Sequence, residues 1–234
     1  MNSVSDVFEA YRTRVQAALA ESPTGIWLDA GGGRVCEFGH LLSCEQAKQG
    51  VALDISLDDL LINPLLTRRV QCDLNQPLPM GNAMVEFVFS SRMIEHLHDP
   101  ASFIRESFRV LAHGGKLIVA VPTGRAPFSV IKRLLPDKLS RKLVLKFAQD
   151  NPGQLCWAKL YYLNCSPRAL ARMCRQAGFM IENVSVSFYQ AQHFRGLAIA
   201  YWPMKLYDTL AEKSGQQGLA AYVLICAQKP KDSK

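Results

Sequence analysis

Hydrophobic positions along the chain fall into two alternating patterns. Short, fully apolar runs recur at strand length, and the segments between them carry apolar residues at helical spacing. The runs predict strands at residues 26–30, 51–54, 69–72, 85–90, 117–121, 181–188 and 219–227. Helical spacing predicts a helix over 4–20, within an N-terminal helical segment 1–22, and another helix near 203–213. Short apolar strands separated by helices favour an α/β fold whose parallel sheet is covered on both faces.

Two helix starts are well marked. Asp99 can cap a helix that has Pro100 in its first turn, and Ser166 can cap a second helix in the same way. The buried face of the first helix extends to Leu111, and we expect the glycines at 114–115 to end it. The two caps predict helices directly after the fourth strand and before the sixth.

The composition is that of a globular protein. The chain has 234 residues, of which 49% are hydrophobic and 20% are charged, and this excludes a disordered or collagen-like chain. The length fits a single domain over 1–234 with a flexible tail at 229–234. No apolar run reaches the roughly 18 residues that a bilayer-spanning helix needs. The polar, charged N-terminus is also unlike a secretory signal.

The seven cysteines occur singly, without a Cys-x-x-Cys pair. Zinc knuckles and redox motifs use such pairs, so the spacing predicts neither, and we expect no bound metal. Thiols at apolar positions behave as small hydrophobic groups. Unpaired cysteines in a chain that lacks a signal-like start favour a cytoplasmic protein.

A glycine turn follows the first predicted strand. It begins at Asp29, continues through the three glycines at 31–33 and is followed by Cys36. A dinucleotide fingerprint needs glycine at position 36, and a P-loop needs Gly-Lys-Ser/Thr, so neither motif is present. What remains is a turn at which the backbone can approach a ligand closely. The alternative is a tight strand-to-helix turn without a ligand.

Three carboxylates follow three successive strands. Asp29, Asp54 and Asp73 each stand at the carboxyl end of a predicted strand, where open α/β sheets bind ligands. A carboxylate at Asp54 can accept both hydroxyls of a ribose, and one at Asp73 can accept from an exocyclic amino group. An acidic pocket without a P-loop favours a cationic nucleoside over a polyphosphate. The alternative is that each acid caps a helix or lies in a solvated loop.

Five segments, taken in order, resemble a known family. WLDAGGGRV, VALDIS, CDLNQPLPM, VEFVFSSRMIEHLHDP and RVLAHGGKLIVAVP look like the class I S-adenosylmethionine-dependent methyltransferases, most closely their small-molecule branch. The resemblance covers 26–122 and, more loosely, 166–184. It implies a doubly wound, mostly parallel, seven-stranded Rossmann-like sheet with helices on both faces and an antiparallel last strand. It also implies S-adenosyl-L-methionine as cofactor and S-adenosyl-L-homocysteine as product.

The resemblance also implies roles for single residues. The methionine part of the cofactor would be held by Asp29, Ala30, Gly31 and Gly33, and the ribose by Asp54 with Ile55. The adenine would contact Asp73 and Leu74, and the sulfonium end would lie near Ser90. Two positions depart from the family pattern, because Val35 replaces its third glycine and Glu86 replaces an aspartate. The first departure keeps a second hypothesis open, a binding or scaffold protein that retains the fold without turnover.

His96 is the candidate general base. Methyl transfer from a sulfonium is an in-line displacement, which requires an aligned acceptor and exclusion of water. A base is needed only when the acceptor is a weak nucleophile such as an alcohol. His96 follows the fourth strand, and imidazole titrates near neutral pH. The alternative is a structural histidine, and oxygen, carbon and nitrogen acceptors all stay open.

A basic and aromatic segment at 123–165 follows the fifth strand. It holds eight Lys and Arg against two Asp, which is +6 of the net charge of +7. We expect a cap over the active-site mouth that sets acceptor specificity, and Tyr161, Tyr162 and His193 are candidate substrate residues. This basic segment can attract an anionic acceptor, it can contact a membrane through 128–147, or its charged residues can simply form a solvated surface. Nucleic acid is less favoured because no RNA-binding module is visible. We therefore expect a small-molecule or lipid-linked acceptor, with an RNA or protein acceptor as the alternative.

Overall fold

Eight strands form one sheet in the computed structural model, which describes residues 2–3, 6–65, 68–134 and 159–231. The strands are β1 (Asn2–Ser3), β2 (Trp27–Ala30), β3 (Gly50–Asp54), β4 (Arg68–Gln71), β5 (Val85–Ser91), β6 (Leu111–Pro122), β7 (Met180–Ser187) and β8 (Tyr222–Gln228). Their order is β1-β7-β8-β6-β5-β2-β3-β4, and only the two pairs that include β8 are antiparallel. The predicted doubly wound sheet with an antiparallel last strand is therefore confirmed, and β1 adds a short edge.

Helices cover both faces of this sheet. They are α1 (Val7–Glu21), α2 (Cys44–Gln49), α3 (Leu57–Ile62), α4 (Pro100–Val110), α5 (Pro127–Leu134), α6 (Pro167–Gln176) and α7 (Ala198–Ser214). One core cluster joins Phe103 of α4 and Leu170 of α6 to Leu28 of β2. A second cluster joins Tyr11 of α1 to Trp27, the neighbour of Leu28. Adjacent residues of β2 thus enter opposite cores, as a strand covered on both faces requires.

The predicted helix caps are confirmed. The Asp99 carboxylate accepts the N–H of Ser102 at 3.1 Å, with Pro100 in the first turn of α4. The Ser166 hydroxyl accepts the N–H of Ala169 at 3.3 Å at the start of α6. These bonds satisfy N–H groups that have no partner inside their own helix.

The junction between α4 and β6 differs from the prediction. The helix ends at Val110, and Leu111 is the first residue of β6. Leu111 pairs with Val85 of β5 and is fully buried, and burial by a sheet gives the same apolar pattern as burial on a helix face. Gly114 has φ +81, and the register between β5 and β6 shifts after Val85. The expectation that the glycines end a helix was wrong, because they form an irregularity inside β6.

The C-terminal segment is attached to the sheet where the predicted tail 229–234 begins. Lys229 is buried, and its Nζ donates to the carbonyl oxygens of Phe108 and Leu111 at 2.8 and 2.7 Å. These carbonyls lie at the end of α4, where a cation is favourable. Residue 229 is therefore anchored, and 232–234 lie outside the described residues.

The basic segment 123–165 is described at its two ends. Residues 135–158 lie outside the described part of the chain, and with them most of the predicted membrane contact 128–147. The described ends are α5 and the stretch that starts at Lys159. Within the described ranges, no helix combines the length and the apolar character needed to cross a membrane.

Candidate cofactor site

The strand order reverses at β2. The chain passes from β2 to β3 and β4 on one side, whereas β5 and β6 lie on the other side. Asp29 of β2 pairs with Ala52 of β3 and with Phe89 of β5, so the carboxyl ends of the three strands lie side by side. Open α/β sheets bind ligands in the crevice outside such a reversal.

The turn after β2 lies close to β3. Gly31 has φ +85, and the N–H groups of Gly31 and Gly32 donate to the carbonyl oxygen of Leu53 at 2.8 and 3.2 Å. A Cβ at Gly31 would lie 2.7 Å from the Cβ of Met93, and a Cβ at Gly32 would lie 2.7 Å from Oδ2 of Asp29. Both positions exclude a side chain, and this keeps the backbone of the turn against the acid of β2.

Asn63 supports the glycine turn, and sequence reasoning missed it. The residue is fully buried, and its Nδ2 donates to the carbonyl oxygen of Gly32 at 2.8 Å. Its own carbonyl oxygen accepts from Nη2 of Arg69 at 2.7 Å. In the sequence, Asn63 looks like an ordinary residue at a helix end beside Pro64, so no local signal marks its role.

Asp29 is a buried acid with an unsatisfied oxygen. Only 5% of the residue is exposed, and its Oδ2 accepts no hydrogen bond from the described residues. Burial raises the pKa of Asp29 to about 7; the Cys36 thiol opposes this rise by hydrogen bonding, and the charges of Glu37 and Asp54 add to it. A cation or hydrogen-bond donor brought by a ligand would stabilise this carboxylate.

Asp54 meets the same glycine turn from β3. Its Oδ2 accepts the N–H of Gly33 at 3.1 Å, and its Oδ1 accepts the N–H of Ser56 at 2.9 Å. Burial raises the pKa of Asp54, although these two backbone hydrogen bonds oppose the rise. A Cβ at Gly33 would lie 2.9 Å from Oδ2 of Asp54. Asp29 and Asp54 therefore flank one turn, with the exposed side chain of Ile55 beside it.

Asp73 lies farther along the same edge, after β4. Its Oδ1 accepts from the backbone N–H and the Nδ2 of Asn75, at 2.9 and 2.8 Å. Oδ1 of Asn75 in turn accepts the N–H of His98 at 2.8 Å. Leu74, between the two polar residues, is buried in the core. Asp73 is thus joined through Asn75 to the loop after β5, and it lies at the same edge of the sheet as Asp29 and Asp54.

Two serine hydroxyls end β5. Ser90 is fully buried, and the hydroxyl oxygens of Ser90 and Ser91 have no hydrogen-bond partner among the described residues. Ser90 lies one position beyond Phe89, the partner of Asp29 in β2. Two buried hydroxyls without partners at this edge can donate to or accept from a ligand.

Arg92 and Phe8 cover the end of β5. Arg92, with φ +53, forms an ion pair with Glu37 and places its guanidinium 4.7 Å from the ring centre of Phe8. Glu37 also pairs with Arg12 of α1 at 3.0 Å. The first turn of α1 is thereby fixed above the site. Sequence reasoning missed both Arg92 and Phe8, because their contacts join segments far apart in the chain.

His96 is half-buried in the loop after β5. Its Nδ1 lies 2.9 Å from the carbonyl oxygen of Lys159. A carbonyl oxygen only accepts hydrogen bonds, so Nδ1 carries the proton in this contact. In the neutral ring Nε2 is then the acceptor, which is the state that a general base requires. His98 is instead exposed, and its ring centre lies 4.0 Å from that of Tyr161, with the two ring planes tilted by 44°.

Glu95, beside His96, is a buried acid that sequence reasoning did not single out. It is 3% exposed, and its Oε2 has no hydrogen-bond partner among the described residues. Burial raises the pKa of Glu95, and the nearby His96 and Arg92 oppose the rise. In the sequence, the position of Glu95 between the apolar Ile94 and Leu97 was the signal that could have indicated a buried acid. Within the described ranges, no three His, Cys, Asp or Glu side chains are grouped to hold a metal.

The three candidate substrate residues lie beyond β5 and β6. The N–H groups of Tyr161 and Tyr162 both donate to the backbone carbonyl oxygen of Glu95, at 2.8 and 3.0 Å. Tyr162 is buried, and burial raises the pKa of its hydroxyl. His193 stacks on Phe128 of α5 at 4.7 Å and bonds through Nε2 to the Tyr222 hydroxyl. Tyr161 and Tyr162 therefore adjoin the β5 loop, whereas His193 adjoins β8.

A cavity of about 440 Å³ opens at the same sheet edge, between α1, α7 and the ends of β7 and β8. Its lining residues include Phe8, Tyr189, Arg195, Lys205 and Tyr222. The ring of Phe8 lies 5.2 Å from the ring of Tyr222 and also contacts Arg92. Phe8 thus stands between the end of β5 and this cavity, whose volume is in the range of small-molecule sites.

Comparison of the sequence with protein families identifies a known domain. A family model described as a methyltransferase domain matches residues 4–184. A protein of Mycobacterium tuberculosis named as a probable S-adenosylmethionine-dependent methyltransferase is 35% identical over 196 residues, which cover 76% of this chain and 63% of that protein. The chain spans less than two thirds of the length of the curated relatives it matches.

Solved structures share the fold at low sequence identity. The geranyl diphosphate C-methyltransferase of Streptomyces coelicolor, solved with Mg²⁺, geranyl diphosphate and S-adenosyl-L-homocysteine, gives a TM-score of 0.54 at 15% identity, over 94% of this chain and 79% of that chain. The cyclase SpnF gives a TM-score of 0.56 at 16% identity, over 96% of this chain and 82% of that one. At such identities the likeness concerns the fold, and one fold hosts different reactions.

Proposed function

Because this chain belongs to the class I S-adenosylmethionine-dependent methyltransferases, we propose that it transfers a methyl group to a small-molecule or lipid-linked acceptor. One observation carries this proposal. Asp29, with a buried oxygen that lacks a partner, and Asp54 flank a single glycine turn at the strand-order reversal. Two carboxylates at such a point suit a ligand that brings a cation and hydroxyl donors.

The residues present fit this cofactor. Oδ2 of Asp29 can accept from the cationic amino end, and the turn Ala30, Gly31 and Gly33 offers backbone without side chains that would block the methionine part. Asp54 uses one lone pair of each oxygen for a backbone N–H, so the remaining lone pairs can accept the ribose hydroxyls, beside Ile55.

The adenine and sulfonium ends would lie at the next two strands. Asp73 keeps acceptor capacity for an exocyclic amino group, and the buried Leu74 provides apolar contact next to it. The buried hydroxyl of Ser90 would lie near the sulfonium end, at the edge of β5. The bound cofactor would supply a methyl group on a positively charged sulfur, with S-adenosyl-L-homocysteine as the product.

The protein's own part in the step is alignment, exclusion of water and removal of one proton. Phe8 and Arg92 cover the end of β5 and restrict water there. For an acceptor hydroxyl, Nε2 of His96 takes the proton while Nδ1–H remains bonded to the carbonyl of Lys159. A neutral amine acceptor needs less help from a base, because its nitrogen already carries a lone pair. A carbon acceptor loses a proton before or after it receives the methyl group, and this proton also needs an acceptor.

The acceptor would enter from the side of α5 and α7. Tyr161, Tyr162 and His193 are the proposed substrate residues, and the cavity behind Phe8 offers space for a small molecule. The cavity lining carries both signs of charge, since Arg195 and Lys205 face it together with Asp6, Asp208 and Glu212. An anionic acceptor is favoured instead by the basic segment 123–165. We propose that the reaction takes place in the cytoplasm without obligatory nucleic acid.

Titration calorimetry with S-adenosyl-L-methionine and S-adenosyl-L-homocysteine tests the cofactor assignment. Asp54→Ala should weaken binding of both by about 1–3 kcal/mol, because the ribose hydroxyls lose a half-buried acceptor. Asp58→Ala is the matched control, since it removes the same group from an exposed position on α3. Absence of binding at millimolar cofactor, or equal affinity in the two variants, would contradict the assignment.

A second candidate is a cofactor-binding or scaffold protein without turnover. Val35, at the position of the family's third glycine, favours this candidate. A broad acceptor screen with radiolabelled cofactor separates the two candidates. Transfer of label to any acceptor supports the enzyme, whereas tight binding without consumption supports the scaffold.

A further inference from the structure

Helix α7 exposes a stripe of large apolar side chains. Ile199, Trp202, Leu206 and Leu210 recur at intervals of three or four residues, so they lie on one face of the helix. Their exposed fractions are 82%, 64%, 61% and 58%. Soluble proteins expose single apolar residues often, but a contiguous stripe of this kind marks a surface that contacts something else. We call these four residues the α7 face.

The opposite side of α7 attaches the helix to the protein. Asp208 and Ala211 are buried there, and Oδ2 of Asp208 accepts the N–H groups of Gln190 and Ala191 at 2.9 and 2.8 Å. Successive residues of an α-helix are about 100° apart, which puts Asp208 and Ala211 roughly opposite the stripe. The α7 face is therefore held pointing away from the core, and folding of this helix does not require its burial.

Basic residues border the α7 face. The Nζ of Lys205 lies 5.3 Å from the ring centre of Trp202 and 6.0 Å from that of Tyr201. Lys213 on the last turn and Arg195 before the helix are exposed. Glu212 is the exposed acid of α7, because Asp208 is buried. An apolar face with Trp, flanked by Lys and Arg, is the composition of helices that lie in a membrane interface.

A second amphipathic element adjoins the first. Helix α5 exposes Ile131 and Leu134 at its end, next to Lys132 and Arg133. Its Phe128 stacks on His193, in the loop that leads into α7. Both elements follow carboxyl ends of parallel strands, so they lie at the same edge of the sheet. The apolar and basic surface thus extends beyond one helix.

We propose that the α7 face binds the surface of an anionic lipid bilayer. Charge decides between the occupants of such a face. A second copy of this chain carries the same net charge of +7 and the same basic border, so self-association brings like charges together. An anionic bilayer has the opposite charge and an apolar interior that accepts the four side chains. This inference does not depend on the proposed reaction.

Co-sedimentation with phosphatidylcholine vesicles, with and without phosphatidylglycerol, tests the proposal without any cofactor. The wild-type chain should bind the anionic vesicles at least about tenfold more tightly than the neutral ones. Leu210→Glu should weaken binding to anionic vesicles by about tenfold or more, because it places a charge in the buried part of the contact.

Leu61→Glu is the matched control. Leu61 is also a leucine on a helix, α3, and has the same 58% exposure as Leu210. The Leu61→Glu variant should bind vesicles as tightly as the wild type does. Trp202 should give a fluorescence blue shift with anionic vesicles that Trp202→Phe lacks, even though Trp202→Phe still sediments. The blue shift keeps the proposal testable if Leu210→Glu fails to fold.

Several outcomes would overturn the proposal. The first is that the wild type does not bind anionic vesicles, and the second is that it binds neutral vesicles equally well. The third is that Leu210→Glu and Leu61→Glu lose vesicle binding to the same extent. A wild-type dimer that Leu210→Glu converts to a monomer would assign the α7 face to a second copy, and this also overturns it.

Discussion

The half of the molecule in which we propose the cofactor site, β2 to β5 with their turns (the cofactor half), differs from the half in which we propose the acceptor site (the acceptor half). The acceptor half comprises α5, β7, α7 and β8. In the cofactor half a short turn holds polar groups that are buried, and Oδ2 of Asp29 and the Ser90 hydroxyl lack partners there. In the acceptor half, 188–221 join β7 to β8, and this long connection carries a cavity and an exposed apolar stripe.

This difference shows where the two halves tolerate change. In the cofactor half each glycine of 31–33 lies against Met93, Asp29 or Asp54, so an added methyl group displaces a neighbour. Long surface connections accept insertions at little entropic cost, and their residues often determine binding specificity. A common cofactor and a variable acceptor fit these two kinds of construction.

The largest effect is expected on turnover, where the two halves meet. For an oxygen acceptor, His96→Gln should lower kcat by about 10²–10⁴-fold, because it removes the proposed proton acceptor. Cofactor affinity should stay unchanged. The measurement is kcat on an acceptor found by screening, with His98→Gln as a control of the same chemistry two positions away. Equal kcat in His96→Gln and wild type would make His96 a structural residue.

The next effect tests whether the glycine turn of the cofactor half is closely packed. Gly31→Ala should lower the free energy of unfolding by about 2–4 kcal/mol, because it combines a positive φ with a clash at Met93. Gly215→Ala is the control, since Gly215 has φ +64 but no neighbour within 4 Å. It should cost about 1 kcal/mol in urea unfolding. Similar losses in both variants would remove the packing argument.

A pH effect tests the buried acid of the cofactor half. The pKa of Asp29 is raised to about 7 from an ordinary 3.8, so the folded protein holds a proton there that the unfolded chain releases. Stability from this group is therefore present at low pH and lost as pH rises between about 4 and 7. Asp29→Asn should remove this loss and be more stable than wild type at pH 8, by about 1–3 kcal/mol.

Thermal or urea unfolding of wild type and Asp29→Asn across that pH range measures the effect. Other groups contribute equally to both proteins, so the difference between the two curves is the relevant quantity. A difference that does not change with pH would mean that Asp29 is ionised in the folded protein throughout.

The smallest effect concerns the acceptor half. Tyr222→Phe removes the hydroxyl that bonds to His193 and should lower the free energy of unfolding by about 0.5–1.5 kcal/mol. Calorimetry should show unchanged cofactor affinity, because Tyr222 lies on β8, away from the reversal at β2. Tyr201→Phe is the control, since that hydroxyl has no hydrogen bond within the described ranges. A loss of cofactor affinity in Tyr222→Phe would couple the two halves.

Much of the fold was predictable because it is encoded locally. The spacing of apolar residues, the helix caps and the helix-breaking residues all act within a few residues of the chain. They predicted the helix starts at Asp99 and Ser166 and the strands of the sheet. Leu111 was assigned to the wrong element, because a buried helix face and a buried strand give the same apolar signal. The series Asp29, Asp54, Asp73 was readable since each acid stands at, or within two residues of, the carboxyl end of a strand.

By itself, the sequence determined which segments become strands and helices, and it determined the order of motifs that identifies the family. Only the tertiary structure decided which distant groups meet. Asn63 reaches the glycine turn, Phe8 covers Arg92, and Lys159 orients His96. These contacts depend on strand order and on how helices lie over the sheet, and no local spacing encodes them. For the same reason, the apolar period of α7 alone could not tell which face of the helix the protein covers.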